Sequence, residues 1–583
     1  MGDTMSTPST FIVGRDNRRD ASLLADAAVL VVVAALMWAL IHMGLRIVAP
    51  FDPHAVEQTL DTSPARLPYY AARSLLRMFV ALAASLVFAF IYATAAARSR
   101  RLSKVLMPLL DVLQSVPILG FLSVTVTFWI ALFPHSQLGV ECASIFAIFT
   151  SQAWNLAFSL HSSLLGQSQE LDESARLLRL TRWQRFWNVD LPSGMIPLTW
   201  NAMMSFGGGW FFLTASETIV VDNHTYVLPG IGSYVAAASQ AQQMPRLFLA
   251  IAVMIAMVLV VNFFFWRPIT AWAERFRVGD TSNAQTPRSL VLNVLRHSHI
   301  ADAWSTLWRP IGEFFDRITR IFGIGGVRFV DHGTRRRAGD IAFFAVVGIV
   351  CLLGAWQVVG YVQSGPGMGE FGEAFLLGLA TLARVVAVLI LGTVIWVPVG
   401  VWIGMNPRWA RLMQPVVQVL ASFPANFLFP FFTLFLIATH ISLDVGGILL
   451  MALGSQWYIL FNVIAGASAI PNDLREAATS LQLSRSLRWR TLILPGIFPA
   501  WVTGAITAAG GAWNASIVSE IVSYGHDTLQ ATGLGAYIAN ATTSGDFHRV
   551  LIGVIVMSIY VVGLNRLFWQ RLNHVAERRY ALT

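Results

Sequence analysis

Two stretches of this 583-residue chain have the same layout: residues 171–192 read LDESARLLRLTRWQRFWNVDLP, and residues 474–495 read LREAATSLQLSRSLRWRTLILP. Each has a glutamate near its start, Glu173 or Glu476, and each ends in a proline 19 residues after that glutamate. The two glutamates lie 303 positions apart, and so do the two prolines. The shared layout predicts that the chain contains two copies of one structural plan.

Further identities support a tandem duplication. At the same offset of 303, matched residues include Trp210 with Trp513, Glu217 with Glu520, Gly230 and Gly232 with Gly533 and Gly535, and Tyr234 with Tyr537. Earlier in each copy the offset is 307, which matches Arg77 with Arg384, Pro108 with Pro415, and Ser115 and Pro117 with Ser422 and Pro424. A length difference of four residues near the third and fourth predicted spans accounts for the change of offset.

The composition places the chain in a membrane. Hydrophobic residues make up 56% of the sequence, charged residues only 12%, and the mean hydropathy is +0.61. A soluble domain has about 25% charged residues. Because a soluble core of this size cannot hide so much apolar surface, lipid must be the solvent for much of it. The two cysteines, Cys142 and Cys351, lie in apolar stretches, which argues against a disulfide framework and against a cysteine metal site.

The apolar stretches predict an all-α integral membrane protein with about twelve spanning helices, six in each repeat. The first six cover residues 27–49, 72–97, 105–133, 138–163, 195–221 and 246–270; the second six cover 340–363, 373–404, 409–439, 443–468, 497–522 and 549–571. Because six is even, both halves insert in the same direction, as parallel repeats. The predicted domains are an N-terminal tail (1–26), a first six-helix half (27–270), a connector (271–339), a second six-helix half (340–571) and a C-terminal tail (572–583).

Basic residues predict the orientation in the membrane. Arginines cluster in the N-terminal tail, at Arg98–Lys104, in residues 171–190, in the connector and in the C-terminal tail. Cytoplasmic segments collect positive charge, so these segments and both termini are expected in the cytoplasm. The same rule explains the net charge of +9 without a nucleic-acid partner. The acidic loop 51–70 is expected outside.

The connector contains apolar residues at irregular helical spacing between Ser289 and Phe322. Two interpretations remain open at this stage. The segment is either an amphipathic helix on the membrane surface or a helix that packs on the cytoplasmic surface of the protein itself. In both cases Pro310 predicts a break.

The two matched loops share a physical design. Each has a short surface helix, a turn and a second, basic amphipathic helix, followed by a proline that starts the next span. Proline is tolerated in a first helical turn because its missing N–H would be unpaired there anyway. Small residues after the glutamate, Ser174 and Ala175 or Ala477 and Ala478, allow a partner surface to approach closely.

These loops resemble the E-A-A-x-x-x-G…L-P loop of the inner-membrane permeases of bacterial ABC importers. The match covers Glu173, Ser174 and Ala175 with Leu191 and Pro192, and Glu476, Ala477 and Ala478 with Leu494 and Pro495. The resemblance implies a type I importer-like permease in which the first coupling loop (170–192) and the second coupling loop (472–495) dock on ATPase subunits. In place of the family's glycine this chain has Arg179 and Gln482, which puts the turn geometry in question.

The resemblance also implies a setting and partners. It places the chain in the bacterial cytoplasmic (inner) membrane, with two ATPase subunits inside and a periplasmic or lipid-anchored substrate-binding protein outside. The stretches 228–234 and 532–537 resemble the Gly-[Leu/Ile]-Gly segment of the nitrate, sulfonate, taurine and bicarbonate importers. A small anion is therefore the expected substrate class.

The chain itself has no phosphate-binding loop for ATP. Such a loop needs Gly-x-x-x-x-Gly-Lys-[Ser/Thr], and the one lysine, Lys104, stands in Leu-Ser-Lys-Val. ATP and Mg²⁺ are therefore expected on partner subunits, with no catalytic residue, cofactor or metal site in this chain.

Polar residues in the spans are candidates for the substrate path. Charges at membrane depth cost about 2.5–3.5 kcal/mol on insertion scales and usually face a bundle interior. We expect Glu217 and Glu520 either to act in transport, by gating the path or contacting the external binding protein, or to hold a helix end by buried hydrogen bonds. Trp210 and Trp513 either line the path or pack in the core, and the hydroxyls of Ser115 and Ser422 are candidate anion contacts.

Two other classes compete with an importer permease. A secondary transporter also has two parallel six-helix halves but needs coupling residues for an ion and no ATPase. A membrane-embedded enzyme needs clustered metal ligands or catalytic groups, and the closest histidine pair is His297 and His299 in the connector. The paired loops favour the importer permease over both.

Overall fold

The computed structural model describes residues 60–134, 136–276 and 333–580, with Leu30, Pro310 and residues 312–314 and 316–318. These residues form two compact units. One unit holds residues 166–199 and 260–276 with the described positions of 310–318; the other holds residues 60–165, 200–259 and 333–580.

The first repeat is helical except for one hairpin. Its helices are α1 (Leu67–Arg98), α2 (Arg100–Ser115), α3 (Leu122–Leu132), α4 (Leu138–Leu165), α5 (Gln169–Leu177), α6 (Arg182–Arg185), α7 (Leu191–Ser216), α8 (Ile231–Gln240), α9 (Met244–Val261) and α10 (Arg267–Ala273). The antiparallel strands β1 (Thr218–Val221) and β2 (His224–Val227) pair Thr218 with Val227. A π-helical turn, Asn262–Trp266, joins α9 to α10.

The second repeat has the same order of elements. Its helices are α11 (Gly333–Gln363), α12 (Glu370–Gly404), α13 (Pro407–Ser422), α14 (Phe429–Thr439), α15 (Leu443–Ala469), α16 (Asn472–Ser480), α17 (Arg485–Arg488), α18 (Leu494–Ser519), α19 (Leu534–Thr543), α20 (Phe547–Leu564) and α21 (Gln570–Tyr580). Strands β3 (Ile521–Tyr524) and β4 (Asp527–Gln530) form the matching hairpin.

The helices match the all-α membrane fold predicted from the sequence. Seven described helices are long and apolar enough to cross a membrane: Pro64–Arg98, Met244–Phe276, Asp340–Gln363, Glu370–Gly404, Leu443–Ala469, Arg485–Ser519 and Phe547–Tyr580. On α11, the large apolar side chains of Leu352 and Trp356 are exposed, as lipid contact requires. The predicted span 27–49 and most of the connector lie outside the described residues.

Some predicted span boundaries were wrong. The third span of each half, predicted as 105–133 and 409–439 with a helix break at Pro117 or Pro424, consists of two helices separated at that break, as predicted. The backbone is extended at Val116 and Phe423, which precede Pro117 and Pro424, because a residue before proline disfavours the helical region. The predicted spans 195–221 and 497–522 end earlier, at Ser216 and Ser519.

Local sequence explains the strands at these ends. Residues 218–221 are Thr-Ile-Val-Val, and β-branched residues favour strands. Asp222 and Asn223 have φ of 52° and 58°, the left-handed conformation that a tight hairpin turn requires. These residues were assigned to the spans because they continue an apolar run. An apolar run alone does not distinguish a short strand from the end of a helix.

The two repeats pack against each other within the larger unit. Ile118 and Leu119, which follow the break in the third span, share one apolar cluster with Ile517 and Ile538 of the second repeat. In the second repeat, Phe431 follows the break in the third span, and its ring lies 4.9 Å from the ring of Phe248 in the first repeat. Each broken span therefore contacts the opposite repeat, and the first one shares a buried apolar cluster with it.

The hairpins also connect the repeats. The backbone N–H groups of Asp222 and Asn223 donate to the carbonyls of Thr542 (3.3 Å) and Thr543 (2.8 Å) at the end of α19. Reciprocally, Gly525 at the β3–β4 turn donates to the carbonyl of Ser239 near the end of α8, at 3.3 Å. We call these bonds the hairpin contacts. They lie at the end of α18 remote from the second coupling loop.

Candidate functional site

The second coupling loop exposes a short helix. On α16, Glu476 and Ala477 are exposed, whereas Ala478 is buried. Leu481, directly after the helix, is 72% exposed. After the turn, Ser484 caps α17 by accepting a hydrogen bond from the N–H of Leu487 at 3.3 Å. A π-helical turn, Trp489–Ile493, then leads without interruption into α18, which begins with Leu494 and Pro495.

The first coupling loop has the same construction. Glu173 and Ser174 are exposed on α5, and Ala175 is buried. Leu178, which matches Leu481, is 71% exposed. Thr181 caps α6 as part of a reciprocal capping box with Gln184. The π-helical turn Phe186–Asp190 leads into α7, which begins with Leu191 and Pro192.

The missing glycines do not change the turns. Arg179 and Gln482, at the positions of the family's glycine, both have φ of 48°, the left-handed conformation that glycine adopts most easily. The N–H of Leu180 donates to Ala175 at 3.2 Å, and that of Leu483 donates to Ala478 at 3.1 Å. These are the six-residue bonds of a Schellman C-cap. Both turns therefore keep the backbone conformation of a glycine turn without a glycine, at some cost in backbone strain.

Different interactions brace the two loops. In the first loop, Asp172 accepts hydrogen bonds from Arg176 and Arg185. Burial acts to raise the pKa of the Asp172 carboxyl, but the two arginines outweigh it and lower that pKa. In the second loop the position of Asp172 is occupied by Arg475, which donates to the carbonyl of Ala467 at 2.6 Å. The first loop is therefore stabilised by ion pairs and the second by capping of α15.

A buried charge cluster stands at the remote end of α7. Arg77 of α1 donates to Glu141 of α4 at 2.6 and 2.7 Å and to Glu217 at 2.7 Å. Arg73 also pairs with Glu141. Ser74 donates to Glu217 at 2.5 Å, and so does the N–H of Gly232 at 2.6 Å. We call these groups the first charge cluster; its two arginines balance its two glutamates.

The second repeat contains the matching cluster. Arg384 donates to Glu520 at 2.8 Å and to Asp444 at 2.6 Å. Thr381, in the place of Ser74, donates to Glu520 at 2.8 Å. One arginine here faces two carboxylates, and the Asp444 side chain is 48% exposed, whereas that of Glu141 is 1% exposed. This second charge cluster is therefore open to solvent on one side and carries one negative charge more than positive.

Both glutamates also hold the short helix that follows the hairpin. The N–H groups of Gly232 and Ala536 donate to Glu217 and Glu520 in the first turns of α8 and α19. A Cβ on Gly230 would lie 2.1 Å from the Glu217 carboxyl carbon, which explains the glycine there. This geometry supports the second of the two roles expected for Glu217 and Glu520, that of holding a helix end.

The arginine partners of Glu217 and Glu520 were not predicted from the sequence. Arg77 and Arg384 match across the repeats, but the sequence pattern alone paired neither with a glutamate. The available signal was the recurrence of charge in three spans of both repeats, since a charge at membrane depth requires a partner.

The other path candidates lie in different surroundings. Trp210 and Trp513 are buried; Trp210 packs on Phe206 at 5.6 Å and Trp513 on Tyr560 at 5.8 Å between ring centroids. Ser422 donates to the carbonyl of Gln418, and a Cβ on Gly207 of the other repeat would lie 2.6 Å from its hydroxyl. Ser115 ends α2, and its side chain lies outside the described residues.

The geometry so far defines a duplicated helical membrane protein with one exposed loop of the same design in each repeat. The sequence matches the family described as binding-protein-dependent transport system inner membrane component over residues 82–275 and 396–579. These two matches cover more than half of the chain, one in each repeat, and the chain belongs to this family. The predicted duplicated importer permease is thereby confirmed.

Similar proteins include single-repeat-sized permeases. The nitrate import permease protein of Leptolyngbya laminosa is 26% identical over 245 residues, which are 39% of this chain and 83% of the relative. A bicarbonate transport system permease protein of Synechococcus elongatus is 27% identical over 188 residues, 32% of this chain and 64% of the relative. The glycine betaine/proline betaine permease protein of Escherichia coli is 26% identical over 230 residues, 38% of this chain and 60% of the relative.

The two charge clusters should respond differently to loss of their matched carboxylates. Glu141→Gln leaves two buried arginines with one carboxylate, and we expect it to destabilise the protein by about 3–5 kcal/mol. Asp444→Asn leaves one arginine with one glutamate at a half-exposed site, and a cost below about 1 kcal/mol is expected. Thermal unfolding of both variants in the same detergent checks this. Equal destabilisation would contradict the charge count.

The glycine turns predict opposite effects of two substitutions. Arg179→Gly removes a left-handed strain of about 1–2 kcal/mol and should slow hydrogen exchange of the Leu180 amide. Arg179→Val should accelerate that exchange, because a β-branched residue is least tolerant of positive φ. Gln482→Gly and Gln482→Val are the matched pair of variants in the second loop, with hydrogen exchange measured at the Leu483 amide. If glycine accelerates exchange at both sites, the turns are not strained.

Proposed function

We propose that this chain is the transport-pathway subunit of an ATP-driven importer for a small anion of the nitrate, sulfonate, taurine or bicarbonate type, in the bacterial cytoplasmic (inner) membrane. An external substrate-binding protein delivers the anion, and two ATPase subunits, which bind ATP and Mg²⁺, dock on the coupling loops. Both termini of the chain lie in the cytoplasm.

The equal exposure of the two coupling helices carries this proposal. A large apolar residue, Leu178 or Leu481, is left about three-quarters exposed at the same place in each repeat. Beside it stands an exposed glutamate, Glu173 or Glu476. A single exposed apolar residue is ordinary, but the same exposure at matched positions of both repeats supports a docking surface in each. The duplication accounts for two partner subunits.

The route for a mechanical signal is continuous helix from α17 onward. From α16 the chain passes through one tight turn and α17 into the π-helical turn and α18, which spans 26 residues or about 39 Å. At its far end stands Glu520, which holds α19 and lies next to the β3–β4 hairpin. A tilt of the docking helix therefore moves the hairpin contacts at the other end.

The anion class rests on the names of relatives together with the 228–234 and 532–537 stretches. The carboxylates and guanidinium groups of the first charge cluster are occupied by one another, so they do not offer an unpaired positive charge to an anion. Substrate choice is therefore assigned to the binding protein. A ligand screen on the binding protein encoded beside this permease tests the anion class directly.

The coupling role predicts loss of partner binding on charge reversal. The double variant Glu173→Arg with Glu476→Arg should reduce co-purification of the ATPase subunits and solute-stimulated ATP turnover by at least about tenfold, the effect of 1.4 kcal/mol. The control is Arg408→Glu, an exposed charge reversal at the start of α13. Intact assembly and turnover in the double variant would show that the loops do not dock ATPases.

The hairpin contacts predict a reversible block of transport. With Cys142 and Cys351 replaced by alanine, the pair Asn223→Cys and Thr543→Cys lies close enough for a disulfide, since their backbones are hydrogen bonded. Oxidation should stop ATP-driven uptake in proteoliposomes, and reduction should restore it, because the contacts must open for solute to enter. The single-cysteine variants are the controls. Full uptake by crosslinked protein would refute this.

A further inference from the structure

Part of the connector contacts the first coupling loop within one compact unit. Asp316 accepts a hydrogen bond from the hydroxyl of Thr181 and a longer one, 3.5 Å, from the side-chain amide of Gln184. Thr181 and Gln184 are the two residues of the capping box that starts α6. Asp316 therefore contacts both residues of the capping box of α6, the short helix that follows the turn after the coupling helix α5.

Helical periodicity explains which side of the connector makes this contact. Residues 312 and 316 are four positions apart in a helical segment, so they share a face. A Cβ on Gly312 would lie 3.9 Å from the indole nitrogen of Trp183 on α6. Phe314 and Ile318, two positions further along, are exposed on the opposite face. The connector thus presents one face to α6. For residues 312–314 and 316–318 this favours the second interpretation, a helix that packs on the protein's own surface.

The matched position in the second loop is different. Thr181 is only 7% exposed, whereas its equivalent Ser484 is exposed, although both cap the next short helix. Arg185 of the first loop is buried, and its equivalent Arg488 is only partly buried. Since the two loops have the same backbone turns, the difference in burial comes from what packs on them. On the connector, Asp316 bonds directly to the first loop.

We propose that the connector is a built-in brace of the first coupling loop, with Asp316 as a positioning residue, and that the two ATPase docking sites are consequently unequal. The proposal rests on the docking role of the coupling loops. A loop held by a carboxylate at its capping box is preorganised for its partner, and preorganisation raises affinity by reducing the ordering that binding requires. The second loop must order itself on docking without this carboxylate.

A double-mutant cycle separates the brace from a general structural effect, because coupling between substitutions appears only where they share an interaction. The full-length permease is reconstituted with the ATPase subunits that co-purify with it, and the affinity of those subunits is measured by titration. Asp316→Ala is combined with Glu173→Gln in the first loop and, separately, with Glu476→Gln in the second.

We expect Asp316→Ala to weaken ATPase binding about three- to tenfold, in the range of one charge-assisted hydrogen bond. Its effect should persist with Glu476→Gln and shrink with Glu173→Gln. Asp316→Asn, which keeps an oxygen to accept from Thr181 but loses the charge, should weaken binding less than Asp316→Ala does. The Ser484→Ala variant, which removes the cap of the uncovered loop, should couple to Glu476→Gln and not to Asp316→Ala.

Equal effects of Asp316→Ala in both backgrounds, or no effect in either, would overturn the brace while leaving the docking role intact. If Glu173→Gln and Glu476→Gln themselves leave ATPase binding unchanged, the docking role is wrong and the brace is overturned with it. An unchanged thermal midpoint of Asp316→Ala confirms that the variant is folded.

Discussion

The structure depends on the pairing of charges at membrane depth. Arg77 and Arg384 stand in long apolar helices where an unpaired charge is costly. Each arginine bonds to a carboxylate from the fourth span and to a glutamate at the end of the fifth. Because three spans of a repeat contribute to one cluster, the cluster fixes how those spans are placed around one another.

The charge clusters also connect the helices to the hairpins. Glu217 and Glu520 accept from the first turns of α8 and α19, and the hairpin contacts end on α8 and α19 of the opposite repeat. Contacts therefore run without a gap from α18 through Glu520 and α19 to the Asp222 turn of the other repeat, which is the kind of network that can carry energetic coupling between distant sites.

Duplication has preserved the backbone and changed the interactions. Both left-handed turns, both helix breaks and both hairpins recur, and even the cap of the third span recurs as Ser99 in one repeat and Asn406 in the other. The charges differ: the first cluster is balanced and buried, while the second is half open. The first coupling loop has ion pairs and a connector contact that the second replaces with the Arg475 cap. The two halves therefore share one backbone plan and differ in the interactions that stabilise it.

The sequence by itself determined the membrane class, the duplication, the coupling loops and most helix positions. Those features depend on hydropathy, periodicity and spacing, which are local or repeat at a fixed interval. The tertiary structure alone decided the partners of Arg77, which lie 64 and 140 residues away in the chain. It also decided that Arg179 and Gln482 keep a glycine conformation, that the fifth spans end in strands, and that Asp316 meets Thr181. These features are consequences of packing. They include contacts between distant segments and backbone conformations that a turn imposes on an unfavourable residue, and the hydropathy pattern does not predict them.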